Sequence, residues 1–359
     1  MSVPAGLTEP EVLVHTEGRA GFVTLNRPRA INALTHAMVR RIDEALTAWE
    51  DDPAVTTVVI RGAGERGLCA GGDIRAIHAD ALAGGTATAG FWRDEYRLNA
   101  RIARFPKPYV AFMDGIVMGG GVGVSGHGSV RVVTERSRIA MPETGIGFVP
   151  DVGGTWLLGR APGELGTHLA LTGTQARAAD ALLTGLADHY VPAADLPALA
   201  DELTRLPAAE AVALFTRPAP AGELADRRDW IDDCYRADTV EEIVRRLTDS
   251  GIPEAKETAD VLLTRSPTAL KATLAALRRA RTLDSLESAL GTEFRLSCAA
   301  LRSPDLVEGI RAQVVDKDRN PRWTPPTLAE VTETATESWF APLPEGEELG
   351  LTPPGHRNR

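Results

Sequence analysis

Apolar, β-rich positions cluster over residues 11–25, where Val12, Val14, Phe22, Val23 and Leu25 stand on either side of Glu17-Gly18. Two short β-rich stretches around a glycine turn predict an opening β-hairpin. The pattern then changes. Leu34, Met38, Ile42, Leu46 and Trp49 recur at three- and four-residue spacing behind Thr35, a natural cap, so a helix is expected to stop just before Asp52-Pro53. Residues 55–60, Val-Thr-Thr-Val-Val-Ile, are all β-branched and read as a buried strand.

The same succession returns further on. Cys69-Ala-Gly-Gly-Asp73 leads to a helix around residues 91–102 and, after Pro106-Lys-Pro108, to a strand at 109–113. The glycines at 119–121 lead to a short helix, a strand at 130–134 and then Ile139-Ala-Met-Pro-Glu143. Strand and helix signals alternating at this pace predict an α/β core of successive β-turn-helix units, without a sequence repeat. Beyond about residue 205 the strand signals fade, and residues 240–247, 257–263 and 269–281 carry helical periodicity. In 285–301, Leu286, Leu290, Phe294 and Ser297-Cys298 predict a long amphipathic helix whose stripe faces a core or a subunit contact. The expected organisation is a core over 1–205, a mainly helical region over 206–341 and a disordered tail over 342–359. The tail is read from Pro344-Glu-Gly-Glu-Glu348 and Pro353-Pro354-Gly355.

Composition narrows the classes. With 359 residues, 43% hydrophobic and 25% charged, the chain can bury a sizeable core and is not wholesale disordered. A formal charge of −10 offers no general basic field for nucleic acid, so an anionic ligand needs local cations. Cys69, Cys234 and Cys298 lie far apart with no CxxC spacing and read as free thiols in a reducing compartment. Met1-Ser-Val-Pro-Ala-Gly shows neither a signal core nor an Arg-rich presequence, and no stretch approaches the roughly 20 apolar residues of a membrane span. The cytoplasm is the expected location, with no membrane partner. The histidines show no HExxH or paired spacing, so no metal is expected.

The glycines invite three readings. Gly121, Gly123 and Gly126 make a formal GxGxxG with Glu143 twenty residues after Gly123, but Gly126-His-Gly128 interrupts the helix that a dinucleotide fold needs. A nucleophile elbow fails because His127 stands where its last glycine belongs, and Ser125 and His127 are two apart, a spacing that does not face. The third reading uses glycine to bare backbone N–H groups. Ala70-Gly-Gly72 and Gly119-Gly-Gly121, each at a strand end, can aim one amide each at a single carbonyl oxygen. On glycine content alone, tight turns account for them as well.

A wider set of motifs decides between these. Asn26-Arg-Pro-Arg-Ala-Ile-Asn-Ala-Leu34, Cys69-Ala-Gly-Gly-Asp-Ile74, Met118-Gly-Gly-Gly121 and Pro142-Glu-Thr-Gly-Ile-Gly147, in this order, resemble the crotonase (enoyl-CoA hydratase/isomerase) superfamily over roughly residues 11–200. Other runs resemble, over nearly the whole chain, its branch that hydrolyses 3-hydroxyisobutyryl-CoA in valine breakdown. They are Arg93-Asp-Glu-Tyr-Arg-Leu-Asn99, Gly119-Gly-Gly-Val-Gly-Val-Ser125, residues 142–154, Val315-Asp-Lys-Asp318 and Asn320-Pro-Arg-Trp323.

The resemblance implies an α/β fold, a crotonase-like spiral of ββα units followed by a mainly α-helical C-terminal region that often mediates trimer contacts. It implies an acyl-CoA thioester hydrolase with no cofactor beyond the coenzyme A of its substrate. The oxyanion amides would be those of Gly72 and Gly120, and Glu143 would be the acid common to much of the family, serving as nucleophile or as general base. Hydratases carry a second glutamate where this chain has Gly123, so paired-glutamate water addition is disfavoured. Asp151 matches an acid of the hydrolase branch, and Glu95 matches a substrate contact. Ala70, Gly72, Asp73 and Ile74 match the coenzyme-A loop, with Arg27 and Arg29 as cations for its phosphates. Two alternatives stay open: an enoyl-CoA hydratase or isomerase, and an acyl-CoA-binding protein without activity.

Overall fold

The computed structural model describes residues 9–353. The opening Met1-Ser-Val-Pro-Ala-Gly segment and residues 354–359 of the expected tail lie outside the described residues.

The two N-terminal β-rich stretches become a hairpin. β1 (Val12–Glu17) and β2 (Ala20–Leu25) pair antiparallel, with Val14 opposite Val23, around Gly18 at φ +54. β3 (Thr57–Gly62) joins β2 in parallel, and β4 (Tyr109–Met113) joins β3. β5 (Ile116–Met118) leaves this sheet, while β6 (Val130–Val133) returns to pair with β4. β7 (Arg138–Ala140) pairs in parallel with β5 to make a second, two-stranded sheet. β8 (His189–Tyr190) closes the large sheet, whose order is β1-β2-β3-β4-β6-β8.

Both faces of the inner strands are covered, which is why β4 (YVAFM) reads as an unbroken apolar run. Phe22, Val59, Val110, Phe112 and Val132 face Leu196, Leu199 and Leu203 of a flanking helix. Val23, Val58, Ile60, Ala111 and Met113 face the main core. Each large apolar side chain so buried stabilises by roughly 1.5–3 kcal/mol relative to exposure.

Helix α1 (His36–Glu50) starts where Thr35 accepts from the Met38 N–H at 3.2 Å, and it buries Met38, Ile42, Leu46 and Trp49. It ends before Asp52-Pro53, as the sequence requires. α2 (Ile74–Leu82) is capped by Asp73, and α3 (Ala87–Arg104) extends beyond its expected span at both ends. Strand, strand and helix follow one another in successive turns: β4, β5 and the short α4 (Gly120–Gly123), then β6, β7 and the turn Glu143–Ile146. This is the expected spiral of ββα units, and after β8 the described residues hold helices and turns but no strand.

The helical region is not a separate packing unit. Leu290 and Phe294 of the Leu286–Leu301 helix belong to the same core cluster as Met38 and Tyr96. Phe294 meets Tyr96 edge to face, with ring centroids 6.0 Å apart. Among the described residues no helix is long and apolar enough to cross a membrane.

The expected disorder of the tail is corrected for residues 342–353. Leu349 is 1% exposed, and the Glu348 carboxylate pairs with Arg295 at 3.0 Å. Three arginines of α3 donate to tail carbonyls: Arg93 to Glu348 at 2.5 Å, Arg97 to Leu349 at 3.2 Å and Arg104 to Thr352 at 3.1 Å. Backbone acceptors exist at every residue whatever the side chains are, so a composition rich in Pro and Glu did not reveal this anchoring.

Candidate active site

The cavity opens where chain leaves the strand ends. After β3 the loop runs beside β5, with Cys69 bridged to Val117 in parallel. Residues 71–73 then form one strand-like bridge with Leu34, in which Leu34 N–H donates to Gly71 O at 2.8 Å and Asp73 N–H donates to Leu34 O at 2.9 Å. Strand alternation therefore turns the Gly72 N–H to the opposite side, towards the cavity. Gly71 takes φ +107, open to glycine at little cost.

The second loop comes in from β5. Gly119 takes φ +48, and a Cβ there would lie 2.9 Å from Glu143 Oε1. Gly120 follows, and a Cβ on it would lie 2.5 Å from Glu95 Oε1 and 3.5 Å from Gly72 N. On the second loop, a Cβ at Gly119 or Gly120 would thus crowd the Glu143 and Glu95 carboxyls. Among the described residues, neither the Gly72 nor the Gly120 N–H has an acceptor.

Three carboxyl groups share this space. Glu143 begins the turn Glu143–Ile146 directly after Pro142 and is 6% exposed, and its Oε2 has no hydrogen-bond partner among the described residues. Glu95, on the inner face of α3, is 2% exposed with Oε1 likewise unpartnered. Asp151 is 5% exposed and accepts from the Tyr96 hydroxyl at Oδ2, at 2.7 Å. Burial raises all three: Glu95 and Glu143 stand well above the usual carboxylate range, each pushed further by the charge of Asp151. Asp151 is pushed up by burial to about 7, against the downward pull of the Tyr96 hydrogen bond. Carboxyls this close and this dry cannot all ionise together, so near neutral pH the set holds both an acid and a base.

Residues 151–153 carry strain. Val152 is β-branched yet sits at φ +52, with Gly153 following at φ +80. A residue held there costs on the order of 1–3 kcal/mol and persists only where its surroundings over-determine it.

A cavity of about 290 Å³ collects most of the residues singled out in the sequence: Ala70, Gly72, Ile74, Glu95, Gly120, Glu143 and Asp151. Asp73 and Arg29 do not line it. Asp73 caps α2 and pairs with Arg27 at 3.1 Å, while Arg27 also pairs with Glu11 at 3.0 Å, so both hold the loop in shape. Arg29 is exposed on the Pro28–Ala30 turn. The rejected motifs have other uses. Ser125 is buried and donates to Gly121 O at 2.6 Å, and His127, pushed down by burial to about 4, contacts Val152 O at 2.7 Å. α4 is four residues long and no full helix follows the glycines before β6. Burial lifts the Cys69 thiol to about 12, which leaves it unreactive.

Several participants were not singled out in the sequence. Trp92 and Phe148 stack at 5.2 Å and line the cavity, and Arg265, Gln313 and Val314 from the helical region close it. Arg265 is the one cation among the lining residues, and its Nε has no partner among the described residues. Tyr96, Glu293 and Ser297 support Asp151 from behind. Tyr96 stands inside the Arg93–Asn99 run, next to Glu95, with no role of its own assigned from sequence. Ser297 was counted in the helical stripe of residues 285–301 with no role beyond packing, and Glu293 was hidden as its polar neighbour.

With the geometry in place, relatives can be compared. The family model described as enoyl-CoA hydratase/isomerase matches residues 20–340. The chain is 43% identical over 344 residues to a 3-hydroxyisobutyryl-CoA hydrolase, mitochondrial, of Gallus gallus, covering 93% of this chain and 89% of the relative. It is 42% identical over 344 residues to the protein of the same name from Homo sapiens, with the same coverage. Among solved structures it resembles a carnitinyl-CoA dehydratase from Mycobacterium thermoresistibile, at 55% identity and TM-score 0.91, covering 94% of this chain and 98% of that one. It also resembles an enoyl-CoA hydratase from Rhodobacter sphaeroides, at 45% identity and TM-score 0.90, covering 95% and 100%.

Proposed function

Because this chain belongs to the enoyl-CoA hydratase/isomerase family, we propose that it hydrolyses an acyl-CoA thioester, 3-hydroxyisobutyryl-CoA, to 3-hydroxyisobutyrate and free coenzyme A. The single observation that carries hydrolysis over hydration is at position 123. A Cβ on Gly123 would lie 2.8 Å from Val152 Cβ and 2.9 Å from Asn99 Nδ2, so the second glutamate of a hydratase has no space there.

In this reading the thioester oxygen lies between the Gly72 and Gly120 N–H groups, which stabilise the oxyanion as it forms. Glu143 has two ways to act. As nucleophile its carboxylate attacks the carbonyl carbon, the C–S bond breaks, the thiolate leaves, and water opens the resulting anhydride. As general base it takes a proton from water, which attacks the same carbon. Asp151 gives one oxygen to Tyr96 and offers the other to the substrate's 3-hydroxyl or to the water. Glu95 is a further substrate contact, and Ala70, Gly72 and Ile74 lie along the coenzyme-A path, with Asp73 holding the loop and Arg29 free for a phosphate. The small cavity, walled by Trp92 and Phe148, suits a short branched acyl group.

Thiol release across a panel of acyl-CoA esters tests this. Glu143→Gln should lose roughly 10²–10⁴ in rate, and equal rates for wild type and variant reject the mechanism. The second reading, hydration of an enoyl-CoA, draws on the names of the two solved relatives. Hydration of crotonyl-CoA with no thiol release would favour it.

A trimer built through the helical region belongs to the same proposal, and sedimentation as a monomer at every concentration would reject it. So does a cytoplasmic location, which rests on three buried, unpaired cysteines. The named vertebrate relatives are mitochondrial, and fractionation of the source cell separates the two.

A further inference from the structure

Asp151 sits in a turn that its own sequence resists, and what holds the turn comes from more than a hundred residues away. The Leu286–Leu301 helix directs Glu293 and Ser297, one turn apart, at the back of the loop. Glu293 accepts the Gly153 N–H on one oxygen at 2.6 Å, and on the other the Thr155 N–H at 2.9 Å together with the Thr155 hydroxyl. From the opposite side His127 contacts Val152 O. Residues 151–155 are thereby held at three backbone positions, 152, 153 and 155, with Val152 locked at positive φ.

The side chain of Asp151 is held separately. Tyr96 has one hydroxyl proton, and it goes to Asp151 Oδ2. The contact of 2.6 Å between Tyr96 and Ser297 therefore takes its proton from Ser297. This orders a chain Ser297 to Tyr96 to Asp151. Tyr96, Ser297 and Glu293 are each 0% exposed, so no water competes for these bonds.

We propose that Glu293, Tyr96 and Ser297 are the positioning residues of Asp151: the C-terminal helix fixes the loop backbone through Glu293 and aims the carboxylate through Ser297 and Tyr96. None of the three lines the cavity, so they act through Asp151 and not on the substrate. The inference rests on the thioester-hydrolase reading of the cavity. The charged and titratable groups around Asp151 are Glu95 and Tyr96 from α3, Glu143 from its turn, Glu293 from the C-terminal helix, and His127 behind Val152. Of these, Tyr96 alone donates a hydrogen bond to the carboxylate, and so favours its ionised form.

The test is thiol release by the full chain carrying Tyr96→Phe, Ser297→Ala, Ser297→Thr or Glu293→Gln, followed from pH 5 to 9. Tyr96→Phe keeps the ring in place and should lose about tenfold in kcat, the worth of one hydrogen bond to a charged group. Its KM should stay within about twofold, and the acid limb of its profile should move to higher pH. Ser297→Ala should move both in the same direction by less, and Ser297→Thr should restore them. Glu293→Gln, if it folds, should lose more than Tyr96→Phe. A folded Tyr96→Phe with wild-type kcat and an unmoved profile overturns the inference.

If the wild type releases no thiol from any ester, the proposed function fails on its own. The positioning is then decided without turnover, by the carboxyl infrared band that Asp151→Asn removes. A band that titrates at the same pH in Tyr96→Phe as in wild type overturns the inference, and one that titrates at higher pH supports it.

Discussion

The spiral and the helical region contribute to one cavity in opposite currencies. The spiral gives backbone: two N–H groups bared by glycines, with Gly71 and Gly119 at positive φ and a Cβ at Gly119 or Gly120 crowding the carboxyls. The helical region gives side chains: Glu293 and Ser297 behind Asp151, and Arg265 on the wall. A backbone donor can be disabled only by changing the path of the chain, whereas a side-chain support can be removed one atom at a time. The spiral's contribution should therefore fail sharply on substitution, and the helical region's should fail by degrees.

The sharpest way to break this contrast is at the loops. Gly120→Ala would set a methyl 2.5 Å from Glu95 Oε1 and 3.1 Å from Leu34 Cδ1, so either the Glu95 carboxylate is driven from its place or the loop shifts and misaims its N–H. Loss of one oxyanion donor is worth roughly 10²–10³ in kcat. An effect confined to KM in steady-state kinetics would mean that this amide binds the ground state equally well, and the division would fail on the spiral side.

A smaller effect should appear in the pH profile, which samples the seam where the regions meet. Glu143 must be ionised to act and is raised by burial, and Asp151 is raised to about 7. The acid limb of kcat/KM should lie near neutrality, with activity falling roughly 50-fold from pH 7 to pH 5. A limb near 4.5 would show that the carboxyls are wetter than their burial implies.

The smallest effect is on stability. Asp151 and Glu293, raised by burial to about 7 and about 8, hold protons more tightly folded than unfolded. Their contribution is complete below about pH 4 and is lost as pH rises through 7 and 8. Acids held low by ion pairs, such as Glu164 and Glu348, are already ionised at pH 6 and do not change above it. The unliganded protein should melt lower at pH 8 than at pH 6, by roughly 2–4 °C for each kcal/mol lost. Asp151→Asn should narrow that gap in calorimetry, and an unchanged gap would show that Asp151 is not among the groups responsible.

The same contrast explains what was legible in the sequence. Glycines that bare an amide are conspicuous because no other residue accepts the conformation of Gly119, and Glu143 announces itself through its place after the strand ending at Ala140. The hairpin, α1 and the strand 109–113 followed from local pattern and caps alone. Glu293 and Ser297 were illegible for a physical reason. On an amphipathic helix a buried acid beside Leu290 and Phe294 has the same spacing as a solvated one at the edge of the stripe, and only its distant partners tell them apart. The tail failed for a related reason, since its anchors are its own carbonyls. Asp73 shows the converse: it matched the coenzyme-A loop, and its carboxylate caps α2 and pairs with Arg27.

The closure around Gly123 also orders any evolutionary path between the two chemistries. A glutamate introduced at 123 while Val152 remains would strike its Cβ, so the fold would be damaged before any hydration could be selected. Replacing Val152 with glycine first would remove one obstruction and release the strain of a β-branched residue at φ +52, at the cost of a looser Asp151, while Asn99 Nδ2 at 2.9 Å would still stand in the way. Any route between the two chemistries therefore runs through changes at both 99 and 152 before 123, and the substitutions should show strong epistasis.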